Sequence, residues 1–458
     1  MSSISTPTMN SGSLKHRVFT ASAWSLGGHG LGLAIRFCSN LIMTRLLLPE
    51  MFGVMAIASI VMVGLVMFSD LGINQNVIQS KRGSEPVFLN TAWVVQIFRG
   101  FVLSAFGVSV ALGIYLGARY GFIPADSVYA APALPLAIAM LSLGLCVWGF
   151  SSTKLAEASR NVAISKVVKL EVTSQLVGLA TMLVWASIDR SIWVLVAGSM
   201  MAGITQVILS HLWLPGTPNR WQFDRAAFHE IYHFGKWIFA SSILGFLVAN
   251  GDRLLLGGMV DSSVLGVYAI AFLMFNAVEQ VLIRVIAGVG FPALSEVVRE
   301  KRDLKAAYYK FHAVVGAIAY FSAGALMVAG GSIITLLYDP RYAQAGWMLQ
   351  LLAVALMSVP FHISVQSYLA LGKPRYLSIV LTVRLVALAV LTPLGFHFFG
   401  LPGAVAMIAA AQLSYVPFIV YINRRFGLFD GLRELYALGF IPIGAAAGML
   451  FTWVVGSL

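Results

Sequence analysis

Eight ionised side chains lie inside stretches that otherwise have the composition of membrane-spanning helices. They are the arginines Arg36, Arg99, Arg253, Arg284 and Arg384 and the acids Asp70, Asp252 and Glu279. A charge near the bilayer centre costs at least about 2.5–3.5 kcal/mol on insertion scales, so such residues usually face a bundle interior or an aqueous cavity. Arginine binds phosphate and carboxylate groups bidentately and keeps its charge. The surplus of cations therefore predicts a path for an anionic substrate.

The composition predicts an all-α, polytopic membrane protein. Of the 458 residues, 59% are hydrophobic and 10% are charged, and the mean hydropathy is +0.86. A membrane-spanning helix needs about 20 mostly apolar residues, and the apolar runs here are too long for the alternating strands of a barrel. Thirteen spans are predicted, at 20–44, 52–78, 87–116, 131–151, 168–187, 191–213, 236–258, 264–293, 312–336, 346–371, 376–399, 401–422 and 436–455.

The loops between these stretches predict the orientation. If the N-terminus is cytoplasmic, 21 of the 30 lysines and arginines lie in cytoplasmic segments, four lie on the opposite side and five lie within spans. This bias follows the positive-inside rule and explains most of the net charge of +12. Because the basic residues are spread over seven short loops, no nucleic-acid partner is expected. We predict a multi-pass protein of the cell inner membrane with a cytoplasmic N-terminus.

The two halves of the chain resemble each other. A shift of 213 residues places the run FGVMAIA (52–58) on LGVYAIA (265–271), and it also aligns Trp24 with Trp237. Because this shift covers six predicted helices, both copies have the same orientation, as in transporters built from parallel repeats. The predicted organisation is a cytoplasmic segment at 1–19, a six-helix bundle at 20–214, a linker with an interfacial helix at 215–235, a second six-helix bundle at 236–423, and a cytoplasmic loop with one additional transmembrane helix at 424–458.

Each intramembrane charge also has a structural interpretation. Arg36, Arg99 and Arg384 could pair with the three acids to lock helices together. The neighbours Asp252 and Arg253 could form a local pair at the membrane interface, and Arg284 is close enough to the membrane surface to reach the headgroups. The acids, in turn, could bind a coupling cation or proton, or could only orient the arginines. The sequence leaves these alternatives open.

No motif in the sequence predicts catalysis. The run GGHGLG (27–32) lies in an apolar helix rather than after a strand, so it does not fit a nucleotide-binding loop. The four-residue spacing of Gly28 and Gly32 is more simply explained by close helix packing. Walker A, HExxH, paired-cysteine and GxSxG motifs are absent from the sequence. We therefore expect no enzymatic activity, no cofactor and no metal.

Several segments resemble those of a known family. They are TRLLLPEMFGVMAIA (44–58), FSDLGINQNVIQ (68–79), NTAWVVQIFRG (90–100), FGKWIFASSILGFLVANGDRLLLG (234–257), LYDPRYAQAGWMLQLLA (337–353) and ALGKPRYLSIVLTVRL (370–385). With these segments the chain resembles the bacterial polysaccharide-biosynthesis flippases. Those proteins belong to the multidrug/oligosaccharidyl-lipid/polysaccharide exporter superfamily.

The resemblance implies two six-helix bundles around a central cavity, with about one extra C-terminal helix. It also implies translocation of polyprenyl-diphosphate-linked oligosaccharide to the periplasmic leaflet for exopolysaccharide or O-antigen-type synthesis. The family's cationic cavity maps onto Arg36, Arg99 and Asp70 in the first half, and onto Arg253 and Arg384 in the second. The implied partners are that lipid-linked oligosaccharide, membrane lipids, a polysaccharide polymerase and other assembly proteins. The family often has fourteen helices, whereas thirteen are predicted here.

Three alternative functions are compatible with the sequence. A lipid II flippase for peptidoglycan would use the same architecture. A cation-coupled multidrug exporter of the same superfamily would favour acids in the cavity, which the excess of arginines argues against. A membrane-embedded glycosyltransferase or ligase would need a catalytic loop, and the predicted periplasmic loops are short.

Overall fold

The computed structural model describes residues 14–69, 73, 76–77, 80, 82–160 and 164–457, whose regular secondary structure is helical, without a strand. The helices are α1 (Leu14–Leu46), α2 (Pro49–Phe68), α3 (Pro86–Arg119), α4 (Ala133–Gly149), α5 (Lys154–Arg160), α6 (Ile164–Ile188), α7 (Trp193–Leu212), α8 (Arg225–Gly257), α9 (Ser262–Val285), α10 (Phe291–Arg299), α11 (Leu304–Leu337), α12 (Ala345–Ala353), α13 (His362–Ala370), α14 (Arg375–Leu413), α15 (Val416–Arg425), α16 (Gly431–Leu438) and α17 (Phe440–Gly456). A π-helical turn, Ile286–Gly290, joins α9 to α10, and a 3₁₀ segment, Val354–Phe361, joins α12 to α13.

Twelve of the thirteen predicted spans fall on one of these helices or on a broken run of them. The second, 52–78, begins on α2 and ends in a segment that lies mostly outside the described residues. Within the described part of the chain, nine helical segments are long and apolar enough to cross a membrane, or ten if the bent pair α4 and α5 counts as one span. The predicted class, an all-α polytopic membrane protein, is therefore confirmed.

The helix α14 is a tight hairpin rather than one rod. Gly400 breaks it with a left-handed backbone (φ 61°, ψ −151°), a conformation that glycine adopts without steric cost. A Cβ on Gly395 would lie 2.5 Å from the carbonyl oxygen of Gly403. Eight residues along one helix would span about 12 Å, so this contact shows that the chain turns back on itself. The predicted break between the eleventh and twelfth spans lies at this turn.

Small residues also hold the last helix in place. A Cβ on Gly324 of α11 would overlap the carbonyl oxygen of Ile441 on α17, and a Cβ on Gly448 would lie 2.7 Å from the carbonyl oxygen of Ala325. Such close backbone approach is typical of small-residue contacts between membrane helices. The thirteenth predicted span is therefore packed along α11.

The predicted interfacial helix of the linker is continuous with the next span. Asp224 caps it by accepting a 2.9 Å hydrogen bond from the backbone N–H of Ala227, and α8 then runs without a break to Gly257. Ile231 is buried in a hydrophobic core, whereas the rings of Phe228 and Tyr232 are exposed and stack at 6.2 Å. The amphipathic pattern at 223–232 thus lies at the start of α8, which continues into the predicted seventh span.

The described residues form two compact units. One comprises the described parts of Met1–Asn40, Ser69–Phe106 and Met140–Phe239. The other comprises Leu41–Phe68, Gly107–Ala139 and the described part of Ala240–Leu458. Segments from the first half of the sequence therefore pack with second-half helices in the second unit. The division into two six-helix bundles at 20–214 and 236–423 stays a prediction.

Candidate functional site

Four of the predicted charged residues belong to one electrostatic cluster in the second unit. Glu279 on α9 interacts electrostatically with Arg384 on α14 and with Asp252 on α8. The two acids are buried, with 3% of Asp252 and 9% of Glu279 exposed. Arg253 adjoins Asp252 in the sequence and completes the cluster. Three helices that are distant in the sequence thus bring these charges together.

Asp252 is a buried link between helices. Its Oδ2 accepts a 2.7 Å hydrogen bond from the hydroxyl of Tyr268 on α9. Its Oδ1 lies 3.6 Å from Nε of Arg253 and has no hydrogen-bond partner among the described residues. Asp252 and Arg253 therefore do form a local pair, and the hydrogen bond from Tyr268 also ties buried Asp252 on α8 to α9; their position at the membrane interface stays a prediction.

Arg253 is held mainly by its own helical turn. Its Nη2 donates hydrogen bonds to the carbonyl oxygen of Ala249 and to Oδ1 of Asn250, both at 2.9 Å. The guanidinium also lies 4.2 Å from the ring centroid of Phe272, a cation–π contact that stabilises the charge in an apolar region. These contacts fix the position of the cation without neutralising it.

Arg384 is attached to the opposite arm of the α14 hairpin. Its Nη2 donates to Oε1 of Gln412, and its guanidinium carbon lies 5.6 Å from the ring centroid of Tyr415. Nε of Arg384 is buried and has no hydrogen-bond partner among the described residues. A buried donor without a partner is costly, so this atom is a strong candidate for binding an anionic ligand.

In the first unit, Arg36 lies on α1 and is exposed. Its Nε donates a 3.2 Å hydrogen bond to the carbonyl oxygen of Gly32, one turn earlier. It also interacts electrostatically with Glu171 on α6. Gly32 permits this approach of the helices, since a Cβ there would lie 3.3 Å from Nε2 of Gln175 on α6. The glycine spacing in GGHGLG thus serves helix packing beside a cation.

Arg99 and Arg284 occupy different surroundings. Nε of Arg99, half-buried on α3, donates a 2.9 Å hydrogen bond to Oγ of Ser69. Asp70 lies outside the described residues, so its pairing with Arg99 stays a prediction. Arg284 is exposed near the end of α9, and it has no ion-pair partner in the part of the chain that the structure describes. Its position fits an arginine that reaches the headgroups.

Sequence reasoning missed three of these partners. Gln412 is a lone amide in the apolar run MIAAAQLSY (407–415), and that polarity is a signal. Glu171 lies near the start of the predicted span 168–187 and was not considered among the intramembrane charges, although its helix already begins at Ile164. Tyr268 gave no signal, because tyrosine is common in membrane helices. Within the described ranges, no group of His, Cys, Asp and Glu residues is arranged to hold a metal ion.

The repeated glycines meet in a contact with two-fold character, which we call the symmetric glycine contact. A Cβ on Gly53 of α2 would overlap the carbonyl oxygen of Ser262, and a Cβ on Gly266 of α9 would overlap that of Pro49. Gly53 and Gly266 are 213 residues apart, and so are Pro49 and Ser262. Such reciprocal pairing is what a two-fold axis between repeated segments requires. This geometry supports the repeat predicted from FGVMAIA and LGVYAIA.

The segment 338–342, which we call the DPRY loop, reinforces this contact. Nη2 of Arg341 donates to the carbonyl oxygens of Thr44 and Arg45 at 3.3 and 3.2 Å, at the C-terminal end of α1. Asp339 orients Arg341 by accepting a 2.7 Å hydrogen bond from its Nε. A cation at a helix C-terminus is favourable because the last carbonyl groups carry partial negative charge.

Comparison with known proteins agrees with this architecture. The family described as "Polysaccharide biosynthesis protein" matches residues 42–345. The "Lipopolysaccharide biosynthesis protein WzxC" of Escherichia coli (strain K12) is 23% identical over 349 residues, which cover 75% of this chain and 67% of that protein. An "Uncharacterized membrane protein in cps region" of Klebsiella pneumoniae is 22% identical over 347 residues, covering 75% of this chain and 69% of that protein.

Two solved structures share the fold. The "Lipid II flippase MurJ, inward closed conformation" superimposes with a TM-score of 0.64 at 12% identity, covering 96% of this chain and 98% of that one. An inward-facing multidrug resistance MATE transporter of the MOP superfamily superimposes with a TM-score of 0.62 at 12% identity, covering 92% of this chain and 95% of that one. The chain therefore belongs to the polysaccharide biosynthesis protein family, and it has the membrane fold shared by MurJ and the MATE transporters of the MOP superfamily.

Proposed function

We propose that this protein is a flippase for polyprenyl-diphosphate-linked oligosaccharide. It would move this lipid from the cytoplasmic to the periplasmic leaflet of the inner membrane, for exopolysaccharide or O-antigen-type synthesis. The observation that carries the proposal is the surplus of intramembrane arginines in a member of a polysaccharide biosynthesis family. A diphosphate is the anionic group that all such substrates share, and guanidinium groups bind it bidentately.

The binding chemistry follows from the contacts of the arginines. Arg36 keeps most of its donors free of described partners, and Arg384 has a buried unpartnered Nε. Both would replace water around the diphosphate, with Arg99, Arg253 and Arg284 as further cations along its path. Glu279 would compete with the diphosphate for Arg384, which keeps binding weak enough for release. The proposed roles of Asp70, Asp252 and Glu279 are charge partners of this kind or sites for a coupling ion.

Translocation would proceed by alternating access without a covalent step. In this proposal the symmetric glycine contact and the DPRY loop together close one face of the protein. The two repeats then move apart at this contact when that face opens, as in transporters built from repeats. A polysaccharide polymerase and other assembly proteins would take up the product. A multidrug exporter is a weaker proposal because its cationic substrates would meet a surplus of arginines.

Deletion of the gene, followed by locating the lipid-linked oligosaccharide, tests this function in cells. We expect the intermediate to accumulate in the cytoplasmic leaflet and the surface polysaccharide to be lost, while growth continues. Failure to assemble the intermediate would indicate an enzyme instead. Loss of viability with accumulation of the peptidoglycan precursor would indicate a lipid II flippase.

The DPRY loop gives a prediction about pH. The hydrogen bond from the Arg341 side chain holds the pKa of the Asp339 carboxyl below its usual range. A lowered folded-state pKa means that the pair stabilises the loop at every pH above the ordinary aspartate value, about 3.9. The stabilisation is lost only as the pH falls through the lowered pKa. The loop should therefore be unaffected between about pH 5 and 8.

Distance measurements between spin labels on Leu48→Cys and Leu336→Cys, two exposed positions beside the loop, check this prediction. We expect one narrow distance population between about pH 5 and 8, and broadening below about pH 4. Asp339→Asn should broaden the population at neutral pH, whereas the control Asp126→Asn, at an exposed site in the 120–127 loop, should not. A wild-type population that broadens above about pH 5 would contradict the assignment.

A further inference from the structure

A buried histidine and a buried glutamate face each other where α11 meets α16. The side chain of His312 is 1% exposed and that of Glu434 is 14% exposed. Nε2 of the histidine lies 3.2 Å from Oε2 of the glutamate, and neither atom has a well-oriented hydrogen bond to any described residue. Neither residue is among the eight intramembrane charges considered above, and the proposed translocation path does not use them.

The remaining oxygen of Glu434 is hydrogen-bonded. The hydroxyl of Tyr309 donates to Oε1 at 3.1 Å and accepts a 2.7 Å hydrogen bond from the backbone N–H of Asp430. Asp430 is itself paired, with Oδ2 lying 3.5 Å from Nε of Arg433 and 3.7 Å from Nζ of Lys305. The Glu434 carboxylate therefore has one satisfied oxygen, and its other oxygen faces the imidazole.

A cavity adjoins the histidine of the pair. Its volume is about 520 Å³, and it lies between the first turns of α11 and the α16–α17 segment. Its walls include His312, Tyr309, Lys310, Arg433, Tyr436 and Phe440. The titratable and charged groups that surround the pair are Lys305, Tyr308, Tyr309, Lys310 and Tyr320 from α11 and Asp430, Arg433 and Tyr436 from the α16 side. Phe361, which packs on the His312 ring at 5.9 Å, is apolar.

The chemistry of the pair favours binding of a proton. If Nε2 carries no hydrogen, two acceptors face each other at 3.2 Å, which is repulsive. If Nε2 carries the hydrogen and the ring is neutral, the pair keeps one buried negative charge. One additional proton, on the imidazole or on the carboxylate, makes the pair neutral overall while a hydrogen bond still joins the two groups. Burial of a net charge is costly, so proton uptake stabilises the contact.

The mechanical setting makes this contact adjustable. The helix α17 is held on α11 by the backbone contacts of Gly324 and Gly448, whereas α16 is a single short helix joined to α17 at Gly439. On α16, Leu432 and Leu435 are exposed, so few apolar contacts hold that helix. Among the described residues, α16 is attached to α11 by the His312–Glu434 and Tyr309–Glu434 contacts and by the guanidinium of Arg433, which lies 5.1 Å from the ring centroid of Tyr309.

We propose that His312 and Glu434 form a proton-binding site, reached through the adjoining cavity, whose occupancy controls how tightly α16 docks on α11. The site is separate from the arginines of the proposed function. Its ligand is a single proton, shared between the imidazole and the carboxylate.

Spin labels on Val314→Cys and Leu432→Cys, in a background with Cys38→Ser and Cys146→Ser, test the proposal on the full chain. Both labelled positions are exposed. We expect a docked and an undocked distance population, with the docked one favoured at low pH. For one proton, the ratio of the two should change by at most about tenfold per pH unit.

Two variants show whether the pH dependence of docking comes from this pair of residues. Glu434→Gln removes the negative charge and should make docking independent of pH, and His312→Gln should also abolish the pH dependence. Glu300→Gln is the matched control, because Glu300 is an exposed acid near the start of α11 that pairs with Arg302 at 2.7 Å. It should leave the titration unchanged.

A wild-type distance that does not change with pH, or a Glu434→Gln variant that titrates like the wild type, would overturn the proposal. Neither outcome depends on transport, so the proposed function is tested separately.

Discussion

Replacing Arg36 by alanine is expected to reduce export of the lipid-linked oligosaccharide at least about tenfold, because a hydrogen bond to a charged group contributes about 1.5–3 kcal/mol. The variant should insert and accumulate like the wild type. Among the described residues Arg36 makes one hydrogen bond, to the carbonyl oxygen of Gly32 in its own helix, so its removal breaks no hydrogen bond between helices and takes away only its electrostatic interaction with Glu171 on α6. Export is measured as surface polysaccharide, normalised to the amount of protein in the membrane.

Two further variants show whether the loss of export is caused by the loss of this guanidinium group. Arg36→Lys keeps the charge but loses the bidentate geometry, so its export should lie between the wild type and Arg36→Ala. Arg119→Ala removes an exposed arginine at the end of α3 that bonds only the hydroxyl of Tyr115 in its own helix. It should export normally. Unimpaired export in Arg36→Ala would remove this residue from the proposed binding site.

Substitution of Arg384 tests the proposed binding site less directly than substitution of Arg36, even though Nε of Arg384 has no hydrogen-bond partner among the described residues. Its guanidinium interacts with buried Glu279 and donates to Gln412 across the α14 hairpin. Removing one member of a buried charge pair is strongly destabilising, because the other charge is left uncompensated. Loss of export in Arg384→Ala would therefore combine lost binding with lost folding.

Replacing Gly53 by leucine is expected to reduce export at least about tenfold, because overpacking a close contact typically costs 1–3 kcal/mol. A Cβ at this position would overlap the carbonyl oxygen of Ser262 and lie 3.0 Å from the backbone N of Gly266. Those neighbours are backbone atoms of α9 and cannot rotate away. The variant would then fail to close the face that we assign to this contact, and alternating access would stop.

The two-fold character of the symmetric glycine contact provides an internal check on this prediction. Gly266→Leu should give the same loss, because a Cβ there would overlap the carbonyl oxygen of Pro49. Gly113→Leu is the control, since a Cβ on this glycine of α3 has no atom within 4 Å. Normal export by Gly53→Leu and Gly266→Leu, with the membrane amount unchanged, would show that the contact does not open and close during transport.

The sequence predicted the helical spans because their signals are local. Apolar runs of about 20 residues define spans, and Gly400 with Pro402 marks the break in α14. The location of Arg384 and Glu279 within apolar helices was also predictable. The pairing of these charges was left open, because it depends on the rotation of each helix about its axis and on packing between distant segments.

The residues that pair with the charges show most clearly what could not be predicted from the sequence. The sequence suggested a pair between Asp252 and Arg253, but it gave no sign that the hydroxyl of Tyr268 also links buried Asp252 on α8 to α9. The His312–Glu434 pair was not predicted either, because its residues are 122 positions apart and each lies near the start of a helix. In contrast, the repeat of FGVMAIA anticipated a real contact, since both glycines permit close backbone approach.

The most direct test of the proposed function is translocation by the purified protein in liposomes. A labelled polyprenyl-diphosphate oligosaccharide would be placed in one leaflet, and its arrival in the other would be followed by a membrane-impermeant reagent that modifies the sugar. We expect the wild type to move the lipid faster than protein-free liposomes, Arg119→Ala to match the wild type, and Arg36→Ala to fall at least about tenfold. A wild-type rate equal to that of protein-free liposomes, with the protein correctly inserted, would contradict the proposal that this chain is a flippase.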